Sequence, residues 1–277
     1  MPLATLLGQL AADRASGAVL CTAGTLYLAH GNVVHADSPA APGVELLLTR
    51  AGRLDERSWQ QALHAGGAGG RPGATGGGTV AGALVEGGHL TRGELEICHL
   101  SALFDAAWFV LADSGAPARF RAGARHWLGP VRPVAVPALR RELHRRAGVL
   151  DRLWPYPQVD ITPLRPAPAR TAPAAGPPLP PPAPLTPRQR DVLRLADGSR
   201  TPADVAAALG RPVFRVLLDV RRLAAAGVVE TPRTPPGPAP PRRTPTPPPG
   251  PAPPGHIPEA PDIATLRRIR DALEAHL

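Results

Sequence analysis

Two periods of apolar residues run along the chain, and they predict most of its elements. Leu3, Leu6, Leu7 and Leu10 recur at steps of three and four, which predicts an amphipathic helix broken off at Gly17. Residues 18–22 and 25–29 alternate around Ala23-Gly24 as a tight hairpin would, and a second turn at His30-Gly31-Asn32 leads into a strand over 33–36. Helices are predicted at 44–50 and at 55–64, the second carrying Trp59 and Leu63. A helical pair follows at 79–86 and 94–111, with Thr91 as a cap and Leu95, Leu100, Leu103, Phe104 and Trp108 on the apolar side. Residues 118–121 and 131–136 read as strands that return to the sheet. A helix over 138–154 turns Leu139, Leu143, Leu150 and Leu153 inward and Arg140, Arg141, Arg145, Arg146 and Arg152 outward.

Further on, residues 185–230 predict three short helices. Thr186-Pro187 and Thr201-Pro202 are paired start signals, with a capping side chain before a proline whose missing N–H costs little there. The third helix runs from Pro212 to about Ala226 on Val213, Val216, Leu217, Val220 and Leu223, and Val228-Val229-Glu230 begins an extended segment. The last stripe is Ile263, Leu266, Ile269, Leu273 and Leu277, an amphipathic helix over 262–277 capped by Asp262.

Composition changes the picture between these blocks. Of 38 prolines, 10 fall in 163–184 and 15 in 231–261, so 155–184 and 231–261 read as extended, disordered linkers. Residues 66–78 hold 8 glycines in 13 positions, a flexible insertion. The predicted class is therefore α+β: a mixed helix and β-hairpin domain over 1–154, a small helical domain over 185–230, proline-rich linkers around it, and a tail helix.

The order "L-L-x-Q-L-A-A-D-R-A-S-G-A-V-L … G-T-L-Y-L-A-H-G-N-V-V-H-A-D" resembles the PATAN domain, through Ser16, Gly17, Gly24, Leu26, Tyr27, Leu28, Gly31, Val33, His35 and Ala36. That resemblance implies a non-catalytic partner-binding module of bacterial signalling, found beside roadblock-type proteins and small GTPases. The stretch "A-D-G-x-R-T-P-A-D-V-A-x-x-L-G … L-x-x-L-x-x-x-G-V-V" resembles the winged helix-turn-helix family of bacterial regulators. In that family the third helix enters the major groove of duplex DNA. Carried over, the resemblance implies a reading face of Arg211, Arg215 and Arg222 with Arg221 beside it, and Arg200 and Thr201 at the phosphate backbone. A plain solvated face is the competing reading, because Arg215–Asp219 and Asp219–Arg222 have the spacing of ion pairs within a helix.

Charge decides little between them. The chain has no lysine, and its net charge of +9 is spread thinly, with 8 Arg against 5 acidic residues in 185–230. Cys21 and Cys98 stand in apolar settings without ligand spacing and read as buried thiols. His30 and His35 flank a turn without an acidic or cysteine partner at ligand spacing, while His64, His89, His99, His126 and His144 are scattered, so no metal site is expected. A phosphate-cradling loop is excluded by the missing lysine, and no nucleophile motif or cofactor fingerprint is found. The expectation is a cytoplasmic, non-enzymatic regulator without a membrane span. It couples a signalling partner to DNA, or else it is an adaptor that touches no DNA. The tail residues Ile263, Leu266, Ile269 and Leu273 are the expected partner-binding stripe.

Overall fold

A computed structural model of the chain describes residues 1–66, 79–112, 115–167 and 184–231. Helix α1 (Leu3–Ala12) leads into a meander of β1 (Gly17–Cys21), β2 (Gly24–Ala29) and β3 (Asn32–Asp37). The first turn is Thr22-Ala23. The second is His30-Gly31, both at positive φ, as a hairpin turn matched to strand twist requires. Gly17 is obligatory for a different reason: a Cβ there would lie 2.4 Å from the Arg121 carbonyl of the neighbouring strand. Strand β4 (Arg119–Ala122) pairs with β1 and β5 (Val134–Ala135) with β3, closing an antiparallel sheet of order β4-β1-β2-β3-β5. Leu3, Leu7, Val19, Leu26, Leu28, Leu103, Ala107 and Leu139 make the core beneath it.

Between β3 and β4 lie α2 (Val44–Thr49), α3 (Glu56–Ala65), α4 (Val80–Glu86) and the long α5 (Arg92–Val110). Asp55, Thr79 and Thr91 cap α3, α4 and α5 with their side chains, Thr91 as the sequence predicts. These helices enclose a second core around Trp59, Leu48, Leu84 and Leu128. Helix α6 (Val136–Leu153) follows β5 directly, then a 3-10 turn at Pro157–Asp160. Helices α7 (Pro187–Leu195), α8 (Pro202–Leu209) and α9 (Val213–Ala225) complete the described elements, and capping boxes at Thr186 and Thr201 start the first two.

The three-helix segment does not stand apart. Its core of Val192, Val205, Val216, Leu217, Val220 and Leu223 also takes in Leu150 of α6, Val159 and Leu164, with Trp108 and Phe109 of α5 packed on it. Met1–Arg233 accordingly form one unit. Residues 155–167, read from the sequence as disordered linker, are built into this core, and the reason is hydrogen bonding. The Leu164 N–H donates to the Arg200 carbonyl at 2.7 Å and the Gly198 N–H to the Leu164 carbonyl at 2.8 Å. On the other side the Ala167 N–H donates to Val228 and the Glu230 N–H to Arg165, both at 2.8 Å. Segment 164–167 is thus an extended stretch laid between the turn after α7 and the chain after α9, with an isolated bridge from Pro166 to Val229, a pairing that proline content alone does not forbid at an edge. Residues 168–183, the glycine-rich 67–78, the proline-rich 232–261 and the tail stripe lie outside the described residues. No described helix is long and apolar enough to cross a membrane.

Candidate functional site

The DNA-reading face expected from the sequence resolves into residues with different environments. On α9 the side chains of Val213, Val216, Leu217, Val220, Leu223 and Ala224 are buried, leaving only Arg215, Arg222 and Ala225 exposed, with Phe214 and Leu218 partly so. Arg215 has no side-chain partner among the described residues, and Arg222 lies 3.5 Å from Asp219. Arg211 at the helix entrance gives its guanidinium to Asp191 of α7 at 2.6 Å, and Arg211 with Arg194 holds that carboxyl below the usual carboxylate range. Arg200 pairs with Asp197 at 2.8 Å. The Asp197 carboxyl also accepts from Ser199, and these bonds hold it at about 2. Thr201 is spent on its own helix: its hydroxyl donates to the Asp204 carboxylate at 2.7 Å and accepts the Asp204 N–H.

Arg221 corrects the expectation outright. It is 2 % exposed and points into the body, not outward beside the reading face. Its Nε and Nη2 donate to Asp160 at 2.9 and 2.6 Å, and Nη1 donates to Asp151 and to the Trp154 carbonyl. Burial works against its charge, but the Asp160 and Asp151 carboxylates outweigh that and hold the guanidinium pKa above its ordinary value.

The N-terminal end of α9 is covered as well. Asp105, a buried acid on α5, accepts the Phe214 N–H at 3.3 Å and so caps α9 from another element. Arg146 of α6 binds the same carboxylate at 2.6 Å, and its guanidinium lies over the rings of Phe214 and Phe104. Burial pushes the Asp105 carboxyl up, against the pull of Arg146 and the α9 amides. Nearby, the α8–α9 turn at Gly210 is buried against the end of α2.

A second cluster was not expected from the sequence. His35 and Asp37 of β3 meet His126 from the segment between β4 and β5, and one ligand atom from each lies within 4.8 Å of the others. His35 Nε2 is 3.2 Å from Asp37 Oδ1, and His126 Nε2 is 3.4 Å from Oδ2. His99 of α5 completes a group of three buried histidines, its ring centre 5.4 Å from that of His35. Burial pushes the Asp37 carboxyl up, but the hydrogen bonds from His126 and His35 outweigh it and leave it well below the usual range. Burial lowers His35, and lowers His99 to about 4. The predicted strand over 33–36 stops one residue short of Asp37, whereas β3 runs through it and so sets His35 and Asp37, two apart, on one face; His126 is far off in sequence.

These donors do not fit a chelated metal. Two imidazole nitrogens at about 2.1 Å from a tetrahedral ion set their ring centres roughly 5 Å apart. The rings of His35 and His126 are stacked, 3.5 Å apart and 22° from parallel. The Leu128 N–H also donates to His126 Nδ1 at 3.3 Å, where a metal-bound imidazole would need an acceptor for its own N–H. Compared with known proteins, the chain matches no family model, no curated protein and no solved structure at a significant level.

Proposed function

We propose that the chain is a non-enzymatic regulatory adaptor. A PATAN-like body binds a signalling protein, and the winged-helix-like α7–α9 unit acts as a fixed buttress of that body, not as a reader of DNA. The observation that carries this reading is the covered N-terminal end of α9. Helix-turn-helix proteins place that end against base edges in the major groove. Here Asp105, Arg146 and Phe104 occupy the space before it. The partner face that fits is the β4 edge on the outer side of the sheet, where register sets the exposed Arg119 beside Leu20 and the exposed Arg121 beside the buried Ala18. Leu20 is 41 % exposed there, directly across from Arg119. An apolar centre with a charged rim suits a protein partner. The partner class, a roadblock-type protein or a small GTPase, rests on the resemblance alone.

A second reading, phosphate binding by the flank of α9, draws on the exposed Arg215 and Arg222 and on Arg188, Arg190 and Arg194 of α7. One salt titration separates the two. Full-length protein with duplex DNA is expected to show only weak binding, unchanged by the double substitution Arg215→Ala, Arg222→Ala. If affinity instead falls steeply with salt, and the double variant lowers the log–log slope by about two, phosphates are being gripped and the adaptor reading fails.

A further inference from the structure

We infer that His35, Asp37, His99 and His126 form a proton-sensitive joint that fastens segment 123–129 to the sheet and releases it on acidification. The hydrogen-bond partners assign each ring. His126 accepts the Leu128 N–H at Nδ1, so its proton sits on Nε2, facing Asp37. His99 Nε2 faces the Val34 carbonyl at 2.8 Å and must donate to it. His35 Nε2 donates to the remaining oxygen of Asp37. All three bonds are made by neutral imidazoles. The Nδ1 atoms of His35 and His99 are buried without a partner, which is tolerable for a lone pair. A second proton on either would be a buried N–H with no acceptor, and on His126 it would point at the Leu128 N–H. Two imidazolium rings stacked at 3.5 Å would repel, with one carboxylate to offset them.

The other groups facing the cluster do not relieve this. Tyr27 of β2 donates its hydroxyl toward Asp37 and packs edge-on to His126. Glu96, one turn from His99 on α5, is the other acid nearby and is engaged by Arg132 at 2.8 Å. Protons reach the site from solvent, because Asp37 is 46 % exposed.

What the joint holds is the seam between the two halves of the body. Residues 123–129 leave the sheet, bring His126 onto it, then bury Leu128 among the helices of the second core. The Leu128 carbonyl accepts the Ala81 N–H at 3.0 Å, and Trp127 packs edge-on to Trp59. Loss of the His126 contact leaves this segment tied to the sheet side at its start alone, where the Gly123 N–H donates to the Ser16 carbonyl at 3.0 Å. The lowered affinities of His35 and His99 for protons agree in sign. The unfolded or opened chain binds more protons than the closed one below the ordinary histidine value of about 6.5, so closure is fully favoured above it and lost as pH falls toward about 4.

Amide exchange on the full chain, corrected for the intrinsic pH dependence, tests this at pH 7.5 and 5.5. One net proton taken up on opening shifts the opening equilibrium roughly tenfold per pH unit below the histidine range. Protection over 123–129 and 33–37 is therefore expected to fall about tenfold while that of α7–α9 holds. His126→Gln keeps an N–H for Asp37 but removes the second imidazole stacked on His35, and is expected to cut the fall below about threefold. Should that variant not fold, His99→Gln, which keeps the bond to Val34, is expected to reduce the fall in the same direction. An equal pH response in 123–129 and α7–α9, or a full response retained in the glutamine variant, would overturn the inference. So would equimolar zinc that raises protection of the segment at pH 7.5, since the cluster would then be a metal site.

Discussion

Arg221 and Arg222 are neighbours in sequence with opposite fates, because one helical step turns a side chain through about 100°. Arg222 reaches solvent; Arg221 falls on the margin of the apolar stripe and meets Asp160 and Asp151 inside the body. Removing one partner of a buried ion pair strands the other charge, which costs about 3–5 kcal/mol. Arg221→Ala is therefore expected to lower the unfolding free energy obtained by urea titration by that amount, whereas Arg222→Ala changes it by under about 0.5 kcal/mol, since its 3.5 Å contact with Asp219 is half open to water. Equal effects of the two substitutions would contradict the buried clamp. The sequence carries a hint of this contrast: Arg221 is four residues from Leu217 and three from Ala224, both core positions.

At the scale of the element, start and stop signals were legible because they are local. Thr91, Thr186 and Thr201 each make the reciprocal bonds of a capping box with the residue three along, and such bonds depend on nothing outside the turn. Gly210 shows the limit of local reading. Its left-handed φ of 59° ends α8, as the sequence suggests, but the turn is also pressed on α2. A Cβ at that position would lie 2.5 Å from Arg50 Cβ and 2.8 Å from the Ala51 nitrogen. Gly227 has a similar φ of 68° with open space around it. Gly227→Ala should then cost about 1 kcal/mol, the left-handed penalty alone, and Gly210→Ala at least about twice that, because backbone must move. Thermal melts of the two variants measure the difference, and equal shifts would mean that the α8–α9 turn is not seated on α2.

For the whole molecule, the shared core of α6, the 3-10 turn and α7–α9 makes residues 1–167 and 184–231 interdependent. Cutting after residue 154 would expose Leu150 and Trp154 and take the Phe214 N–H from Asp105 and the Phe214 ring from Arg146. Each fully buried Leu returned to water costs roughly 1.5–3 kcal/mol. Calorimetry of the full chain is expected to give one cooperative transition for this unit, with the 1–154 fragment melting well below it and the isolated 184–231 fragment showing no cooperative melt. Two independent transitions that match the fragments would restore the picture of a tethered domain.

The sequence by itself determined the order and bounds of nearly every helix and of the β1–β3 meander, since apolar period, caps and turn residues act within a few positions along the chain. What only the tertiary structure decided were pairings across long separations. These are His126 laid on His35, Asp105 capping α9, Asp160 meeting Arg221, and the proline-bearing 164–167 drawn between two other segments. None of these contacts leaves a periodic trace. Each brings together groups tens of residues apart, and the free energy that fixes them comes from burial and hydrogen bonding that exist only once the surrounding elements are packed.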